Sequence, residues 1–545
     1  MRAYVSHLRG KTGRGQAGVA RLGGSGYTLR HPTSIHAVRY RKRMEDPLRR
    51  RGDREAHRPG RSRGFLLLFL LVLISCRGEG ARPSSAPPEP ERALSGAGGP
   101  AAPVPRTPTP DPPRPGVSPD RELYLVQPGD TLSAIAAQFR TTVEAIQALN
   151  PGVDPQRLAV GQPLWIPLGV QERGPSEKLI PDSELVYGPA YLRFSVAGAI
   201  RHFGGYLSRY QETVGGRTLT GAQIVEEVAR NHSVGPRVLL TLLEMQSGWV
   251  RGEPADDRAR LYPMGWERPG AEGLYRQLNW AADRLNDGYY GFKGRWMWTI
   301  RFADGRRVRV AEGVNAGTVA VQAFLAAVRA PEDWARAVGP QGFPAVYRAL
   351  FGDPFREEPP VSVPPEPAWR LPWADGEMWY FTGGPHGGWG NGAAWGALDF
   401  APPDVEGCAP SRYWARAAAD GIIARTGEGV VVLDTDGDGH EETGWVMVYL
   451  HIAAEGRIPP GTRVRAGDPL GHPSCEGGFA DAAHVHLARR LNGEWVPIAP
   501  GQPFRLGGWE ALPSFALYEG ALVRDGERKT ACACKDDARN GIPAP

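Results

Sequence analysis

The first regular pattern of apolar positions lies between residues 121 and 168. Apolar residues at positions 132, 135, 136 and 139 recur at helical spacing, and Asp130 or Thr131 can cap that helix. A second short helix is expected over residues 143–150, and apolar runs stand before and after the two helices. The pattern therefore predicts a small βααβ module.

Residues 178–360 carry the pattern of helices. Thr220 and Gln223 have the spacing of a capping box, and an apolar stripe of Ile224, Val225 and Val228 follows them. A second helix is expected after Pro236. The segment is predicted to be an all-α domain.

The pattern changes again after residue 371, where short β-type runs alternate with glycine. These runs occupy residues 421–424, 429–433, 445–452 and 484–488. They predict an antiparallel sheet or open barrel over residues 371–505, and residues 506–545 are expected to be a C-terminal tail. The chain as a whole is expected to be a multidomain α+β protein.

The N-terminal segment has the pattern of an export signal. An arginine-dense run ends at Arg63, and the apolar stretch 65–75 that follows has about the length of a signal peptide. Residues 1–76 are therefore expected to be a leader, although residues 1–43 do not resemble a signal sequence, which leaves both Met1 and Met44 open as the start. Residues 77–120 are rich in proline and are expected to form an unfolded linker.

The distribution of charge argues against nucleic-acid binding. Before Gly64 there are 17 Lys and Arg against 4 Asp and Glu, and the rest of the chain has 47 against 55. The formal net charge of +5 thus arises in the leader, and the body is mildly acidic. Because nucleic-acid binding needs a basic surface, we expect no nucleic-acid partner.

The C-terminal domain contains residue types that bind metals. His484 and His486 are two positions apart, so both rings project from one face of a strand. Together with a carboxylate, such a pair forms half of a zinc site, and a zinc ion with three protein ligands keeps an open fourth position for hydrolysis.

Two N-terminal segments resemble known motifs. Residues 121–168 closely resemble a LysM module in their Val126-x-x-Gly-Asp-Thr-Leu132 run and in the Leu158-to-Pro167 close. This resemblance implies binding to the N-acetylglucosamine-containing glycan of peptidoglycan. Leu73-Ile-Ser-Cys76 resembles a lipobox, which implies lipidation of Cys76 and an exported, membrane-anchored lipoprotein at the bacterial cell envelope.

Residues 231–249 resemble the catalytic helix of lysozyme-like lytic transglycosylases, which ends in Glu-Ser-Gly. Gln246 stands at the glutamate position, and an amide cannot protonate a leaving oxygen. Glu244, two residues earlier, is expected to face elsewhere on the helix. The helical domain is therefore expected to be a degenerate lysozyme-like unit that can still bind glycan.

The C-terminal domain resembles the beta-lytic branch of the LytM/lysostaphin-type zinc metallopeptidases. The resemblance rests on Gly383-Gly-Pro-His386, Leu398-Asp-Phe400, Tyr449-Leu-His451-Ile, the segment 461–471 and His484-Val-His486. It implies a Zn²⁺ cofactor bound by His386, Asp399 and His486. It also implies that His451 and His484 orient or deprotonate the attacking water and stabilise the oxyanion, and His484 is favoured as the base. The commoner branch has a histidine at the position of Trp395, so the metal site depends on His386.

Other residues of this domain leave alternatives open. Cys408 and Cys475 can pair, whereas Cys532 and Cys534 can pair with each other, bind a metal or do neither. The run from Asp434 to Gly439 begins like a calcium-binding loop, but Trp445 stands at the twelfth position, which favours a polar hairpin turn.

Three functions follow from these patterns. The first is a zinc endopeptidase that cuts peptide stems or cross-bridges of peptidoglycan, the second an inactive peptidoglycan-binding protein or hydrolase activator, and the third a glycan-cleaving central domain. Retention of all three expected ligands favours the first, and Gln246 argues against the third. The oligomeric state stays open.

Overall fold

The computed structural model describes residues 120–545, except residues 128, 171, 295, 357–361, 500 and 515. The predicted leader, the lipidation site Cys76 and all of the linker but its last residue lie outside this part of the chain. Among the described residues, no helix is both long and apolar enough to cross a membrane.

The first domain has the expected order of elements. These are β1 (Arg121–Leu125), α1 (Leu132–Phe139), α2 (Val143–Leu149) and β2 (Pro163–Pro167). The two strands pair antiparallel, and the Thr131 side chain accepts a hydrogen bond from the Ala134 amide at the start of α1. Leu132, Ile135, Ala136 and Phe139 are buried, which confirms the predicted apolar face.

The second domain is built mainly of helices. They are α3 (Asp182–Leu185), α4 (Val196–Phe203), α5 (Gly221–His232), α6 (Pro236–Ser247), α7 (Asp257–Leu261), α8 (Leu274–Gly294), α9 (Ala316–Val328), α10 (Pro331–Ala337) and α11 (Phe343–Phe351). The capping box of Thr220 and Gln223 is present at the start of α5.

Two short hairpins are added to the helical domain, and the expectation of an all-α domain missed both. They are β3 (Gln211–Val214) with β4 (Arg217–Thr220), and β5 (Thr299–Arg301) with β6 (Arg307–Arg309). Gly215 and Gly216 both have positive φ, which allows the tight turn between β3 and β4. With only three or four residues a strand, these hairpins are too short to give a clear alternating pattern.

The third domain contains a nine-stranded antiparallel sheet. Its order is β13-β10-β11-β12-β15-β8-β7-β21, with β16 beside β15, and it does not close into a barrel. The strands are β7 (Met378–Gly387), β8 (Trp395–Ala401), β10 (Gly421–Gly427), β11 (Val430–Asp434), β12 (Trp445–Leu450), β13 (Arg463–Val464), β15 (Val485–Leu491), β16 (Glu494–Trp495) and β21 (Gly541–Pro543). β9 (Ala415–Arg416) pairs separately with β14 (Pro469–Gly471).

Residues 506–545 are not a tail, and the structure corrects that expectation. β17 (Arg505–Leu506), β18 (Trp509–Pro513), β19 (Gly520–Arg524) and β20 (Glu527–Thr530) form a four-stranded sheet. β21 then joins the large sheet, with Ile542 opposite Trp379. Trp509, Leu522 and Ile542 are fully buried, so this segment supplies part of the core of the third domain.

The large sheet is buried on both faces. In β12, Val446 and Val448 pack in the same core as the helical domain, whereas Met447 and Tyr449 pack in the core on the opposite side. In β15, Ala488 belongs to the first of these faces and Leu487 to the second. This explains the nearly continuous apolar runs of the strands, which have no polar face.

A buried ion pair joins the LysM-like module to the helical domain. Glu122 of β1 is 5% exposed, and one of its oxygens accepts hydrogen bonds from the amides of Trp298 and Thr299 and from the Thr299 hydroxyl, at 2.8–3.0 Å. The other oxygen lies 2.9 Å from Nη1 of Arg307. The module is thus docked on β5 and β6 of the helical domain.

A second buried ionic cluster joins the helical domain to the sheet. Glu441 accepts hydrogen bonds from Arg425 and Arg490 of the sheet, and its Oε1 lies 3.6 Å from Nη1 of Arg230 on α5. Burial alone would raise the pKa of Glu441, but Arg425 and Arg490 outweigh burial and lower it to about 2. The carboxylate is therefore charged throughout the neutral range.

We expect Glu122→Ala to destabilise the docked module by about 3–5 kcal/mol, because it leaves Arg307 buried without its partner. Glu312→Ala is the matched control, since it removes the exposed pair with Arg173 and should cost less than about 1 kcal/mol. Chemical denaturation of both variants and the parent measures the difference. Equal losses of unfolding free energy in the two variants would contradict the structural role of Glu122.

We expect Glu441 to make the contact between helical domain and sheet sensitive to acid. Its folded pKa of about 2 lies below the ordinary 4.5, so its contribution is present above pH 4.5 and is lost as the pH falls towards 2. The loss amounts to about 3 kcal/mol of unfolding free energy. Glu441→Gln should not show this loss of unfolding free energy at low pH. Glu494→Gln, which removes the charge from the partly exposed pair with Lys293, should still show it.

Candidate metal centre

Three neighbouring strands bring His386, Asp399 and His486 together. His486 of β15 pairs directly with Asp399 of β8, and His386 of β7 pairs with Ala397, which shares a face with Asp399. Asp399 Oδ1 lies 3.3 Å from His386 Nε2 and 3.3 Å from His486 Nδ1, and these two nitrogens are 2.9 Å apart. The predicted ligand types thus converge at one point.

Backbone carbonyls determine which ring nitrogens face this point. A carbonyl oxygen can only accept, so Nδ1 of His386 donates to Gly384 O at 2.8 Å, and Nε2 of His486 donates to Gly388 O at 3.1 Å. The two nitrogens that face each other are therefore unprotonated in the neutral rings. Metal-binding histidines have their second nitrogen oriented in this way.

The donor set fits a metal ion. All three side chains are at least nine-tenths buried, and Asp399 Oδ1 has no hydrogen-bond partner among the described residues. Donor atoms around a tetrahedral zinc at about 2.0–2.1 Å are about 3.3 Å apart, which matches both distances to the carboxylate. Two lone pairs and a buried carboxylate oxygen that face one another are an arrangement that a cation stabilises.

Local electrostatics keep Asp399 and His486 ready to bind a cation. Burial raises the pKa of the Asp399 carboxyl, but the neighbouring His386 and His484 rings outweigh burial and hold it well below its usual range. Burial lowers the pKa of His486, which favours its neutral form. An anionic carboxylate and a neutral imidazole are the protonation states that metal binding requires.

His451 and His484 lie beside the three candidate ligands, and their ring centroids are 4.5 Å apart. Nδ1 of His451 donates to Glu476 O at 2.9 Å, and Nδ1 of His484 donates to Ala482 O at 2.8 Å. Each ring therefore offers Nε2 as a proton acceptor, and Nε2 of His484 is 3.7 Å from Asp399 Oδ1. Burial, and then the rings of His484 and His486, lower the pKa of His451 to about 3, so this ring is neutral near pH 7.

Hydrogen bonds through Ser474 connect His451 and His484, the two ends of the segment between them. The Ser474 amide and hydroxyl both donate to His451 O, and the His484 amide donates to Ser474 O. Cys475 forms a disulfide with Cys408, and Cys532 forms one with Cys534. The 408–475 disulfide therefore lies directly beside the contacts that position His451.

Tyr518 is a site residue that the sequence analysis missed. Its ring stacks on His386 at 4.3 Å between centroids, and its backbone exchanges hydrogen bonds with Gly384 and Pro385. No local pattern marks it, because it was assigned to the supposed tail, far along the chain from the other site residues.

Other candidate residues do not contribute to this centre. Tyr449 is fully buried, and its hydroxyl accepts a hydrogen bond from the Ala418 amide. Asp434 is the last residue of β11 and accepts hydrogen bonds from the amides of Asp436, Gly437 and Gly439 in the turn that follows, as expected for a polar hairpin turn.

The helix that resembles a transglycosylase helix carries no free acid at the predicted position. Gln246 accepts a hydrogen bond from Arg329. Glu244 accepts hydrogen bonds from the amides of Val250 and Arg251 and pairs with the Arg251 guanidinium at 2.9 Å, so it stabilises the end of α6.

Two family models match the chain. Residues 124–167 match the LysM domain, and residues 178–363 match the family described as LasA, N-terminal domain. The resemblance of the helical domain to lysozyme-like enzymes stays a prediction.

Curated relatives extend this match. Protease LasA of Pseudomonas aeruginosa, strain UCBPP-PA14, is 27% identical over 313 residues, covering 52% of this chain and 70% of the relative. The cortical fragment-lytic enzyme of Bacillus subtilis is 48% identical over 50 residues, covering 9% of this chain and 12% of the relative.

Solved structures also resemble parts of the chain. The M23 metalloprotease pseudoalterin is 25% identical, with a TM-score of 0.26, and covers 30% of this chain and 95% of its own. The catalytic domain of lysostaphin from Staphylococcus simulans is 21% identical, with a TM-score of 0.17, and covers 23% of this chain and 92% of its own. The chain thus contains a LysM domain and a LasA N-terminal domain, and about half of it is similar to Protease LasA.

Proposed function

We propose that this chain is a zinc metalloendopeptidase that cleaves the peptide stems or cross-bridges of peptidoglycan. The observation that supports this most strongly is the convergence of His386, Asp399 and His486, with His451 and His484 beside them. A binding protein derived from a peptidase has no need to retain all five, so the cluster favours an enzyme over the inactive alternative.

Different residues of the chain would serve different steps of amide hydrolysis. His386, Asp399 and His486 would hold the zinc ion, which would lower the pKa of a water molecule and polarise the scissile carbonyl. His484, whose Nε2 is 3.7 Å from a ligand oxygen, is placed to accept the proton of the nucleophile. The neutral His451 ring is the second acceptor, and either ring can then donate its proton to the leaving amine.

The LysM domain supports the substrate class. We infer that it binds the N-acetylglucosamine-containing glycan, while the sheet domain acts on the attached peptides. Because the module is docked through Glu122, glycan binding would hold the peptidase beside its substrate and increase the local concentration of peptide.

We also propose that the chain acts at the bacterial cell envelope. An export signal over residues 65–75 and a lipid anchor on Cys76 rest on the sequence alone. Mass spectrometry of the mature N-terminus tests both: a diacylated N-terminal Cys76 supports the anchor, and any other N-terminus contradicts it.

Zinc binding is expected to depend on His386. His386→Ala removes one of three protein ligands, so zinc bound to the purified protein should fall from about one ion a chain to well below half of that. His440→Ala is the matched control, because His440 is an exposed loop histidine of the same domain. Metal analysis after dialysis measures the difference. Equal zinc content in both variants would show that His386 is not a ligand.

Digestion of purified sacculi distinguishes the proposed functions. The zinc-loaded parent should release new amino groups, whereas His484→Ala should retain its zinc and lose at least about a hundredfold in rate, the contribution typical of a general base. Mass spectrometry of the products identifies the bond. Amino-group release by the parent no faster than by His484→Ala would favour the inactive binding protein, and new reducing ends would favour a glycan-cleaving central domain.

A further inference from the structure

The turn between β7 and β8, residues 388–394, connects two strands that carry metal ligands. It begins two residues after His386, and its Gly388 carbonyl accepts the hydrogen bond that orients the ring of His486. Three of its seven residues are glycines, so its own sequence restricts its conformation little. Something outside the turn must hold it in place.

Helix α8 of the helical domain supplies that contact. The Gly392 amide donates to Oδ1 of Asp283 at 2.7 Å, and α8 lies so close that a Cβ atom on Gly392 would be 2.0 Å from the Asp283 carbonyl oxygen. Oδ2 of Asp283 is hydrogen bonded to Arg284, which fixes the carboxylate. The turn is therefore held by a side chain from another domain.

A second contact from the same side places the Gly388 end of the turn. Trp495 lies directly against Gly388, where an added Cβ would be 2.5 Å from the indole ring. The Trp495 amide donates to the Tyr290 hydroxyl of α8, and its indole nitrogen donates to His232 O. Both ends of the turn thus take their position from the helical domain.

The ligands also lie on the face of the sheet that the helical domain covers. Ala397 and Ala488 pack in the core shared with that domain, and Asp399 and His486 are two residues from them on the same strands. Because side chains alternate along a strand, the metal centre continues this face.

We propose that Asp283 of the LasA N-terminal domain is a positioning residue for the metal centre. By holding the 388–394 turn, it keeps the Gly388 carbonyl where it fixes Nδ1 of His486 as the ligand atom. The helical domain is then part of the metal site. This inference rests on the proposed zinc function, because it assumes that these three residues bind the ion.

Zinc affinity of the full chain tests the proposal. Asp283→Ala removes the acceptor and should raise the zinc dissociation constant about tenfold or more, the effect typical of groups that orient metal ligands. Asp283→Asn keeps a side-chain oxygen and should stay close to the parent. Arg276→Ala is the control, because Arg276 is an exposed residue of the same helix and hydrogen bonds to Gly270 O, away from the turn. Competition with a chromophoric chelator gives each constant, and circular dichroism shows that each variant is folded.

The outcomes separate the two hypotheses. A parent-like zinc dissociation constant in Asp283→Ala would overturn the positioning role, even if thermal stability falls, and so would equal losses in Asp283→Asn and Asp283→Ala. Should Asp283→Ala fail to fold, Asp283→Glu keeps the charge but displaces the oxygen by one methylene, and it must also raise the constant. A parent chain that binds no zinc would instead refute the proposed function.

Discussion

The register between β15 and β8 is the constraint on which the candidate metal centre depends. It places His486 directly opposite Asp399 in the middle of the large sheet. A slip of one residue would turn one of these side chains to the opposite face, into the core that contains Leu398 and Leu487. The third candidate ligand follows from the same arrangement, since β7 sets His386 opposite Ala397, two residues from Asp399 on the same face.

This register is stabilised by burial on both faces of the sheet. One face packs against the core that contains Phe381 and Trp509, and the other packs against the helical domain. The buried cluster of Glu441, Arg425, Arg490 and Arg230 crosses the second contact and adds geometric specificity to it. The helical domain therefore covers one face of the sheet as a structural layer, besides being its neighbour along the chain.

The docking of the LysM domain has a similar physical basis. Glu122 is charged only at a large cost when it is buried, and four hydrogen-bond donors from β5, β6 and the residue before them offset that cost. Burial still raises the pKa of this carboxyl above its usual range, against the lowering effect of Arg307. A contact of this kind holds two domains in one orientation, which a flexible connection would not.

The sequence by itself determined the features that are local. Helical spacing and a cap define the βααβ module, and the two-residue spacing of His484 and His486 defines one face of a strand, because these periods follow from backbone geometry alone. The resemblance to the beta-lytic branch, which includes the thirteen-residue separation of His386 and Asp399 (399 − 386), made both candidate ligands before any fold was known.

Only the tertiary structure decided the features that depend on distant segments. Tyr518 stacks on His386 from 132 positions away (518 − 386), and Asp283 reaches the 388–394 turn from another domain. The ring nitrogens that face the metal position are selected by the carbonyls of Gly384 and Gly388, groups that every residue has and no sequence pattern distinguishes. Such contacts are set by how strands and helices pack, so the sequence indicated the candidate ligands, and the packing determined how they are oriented.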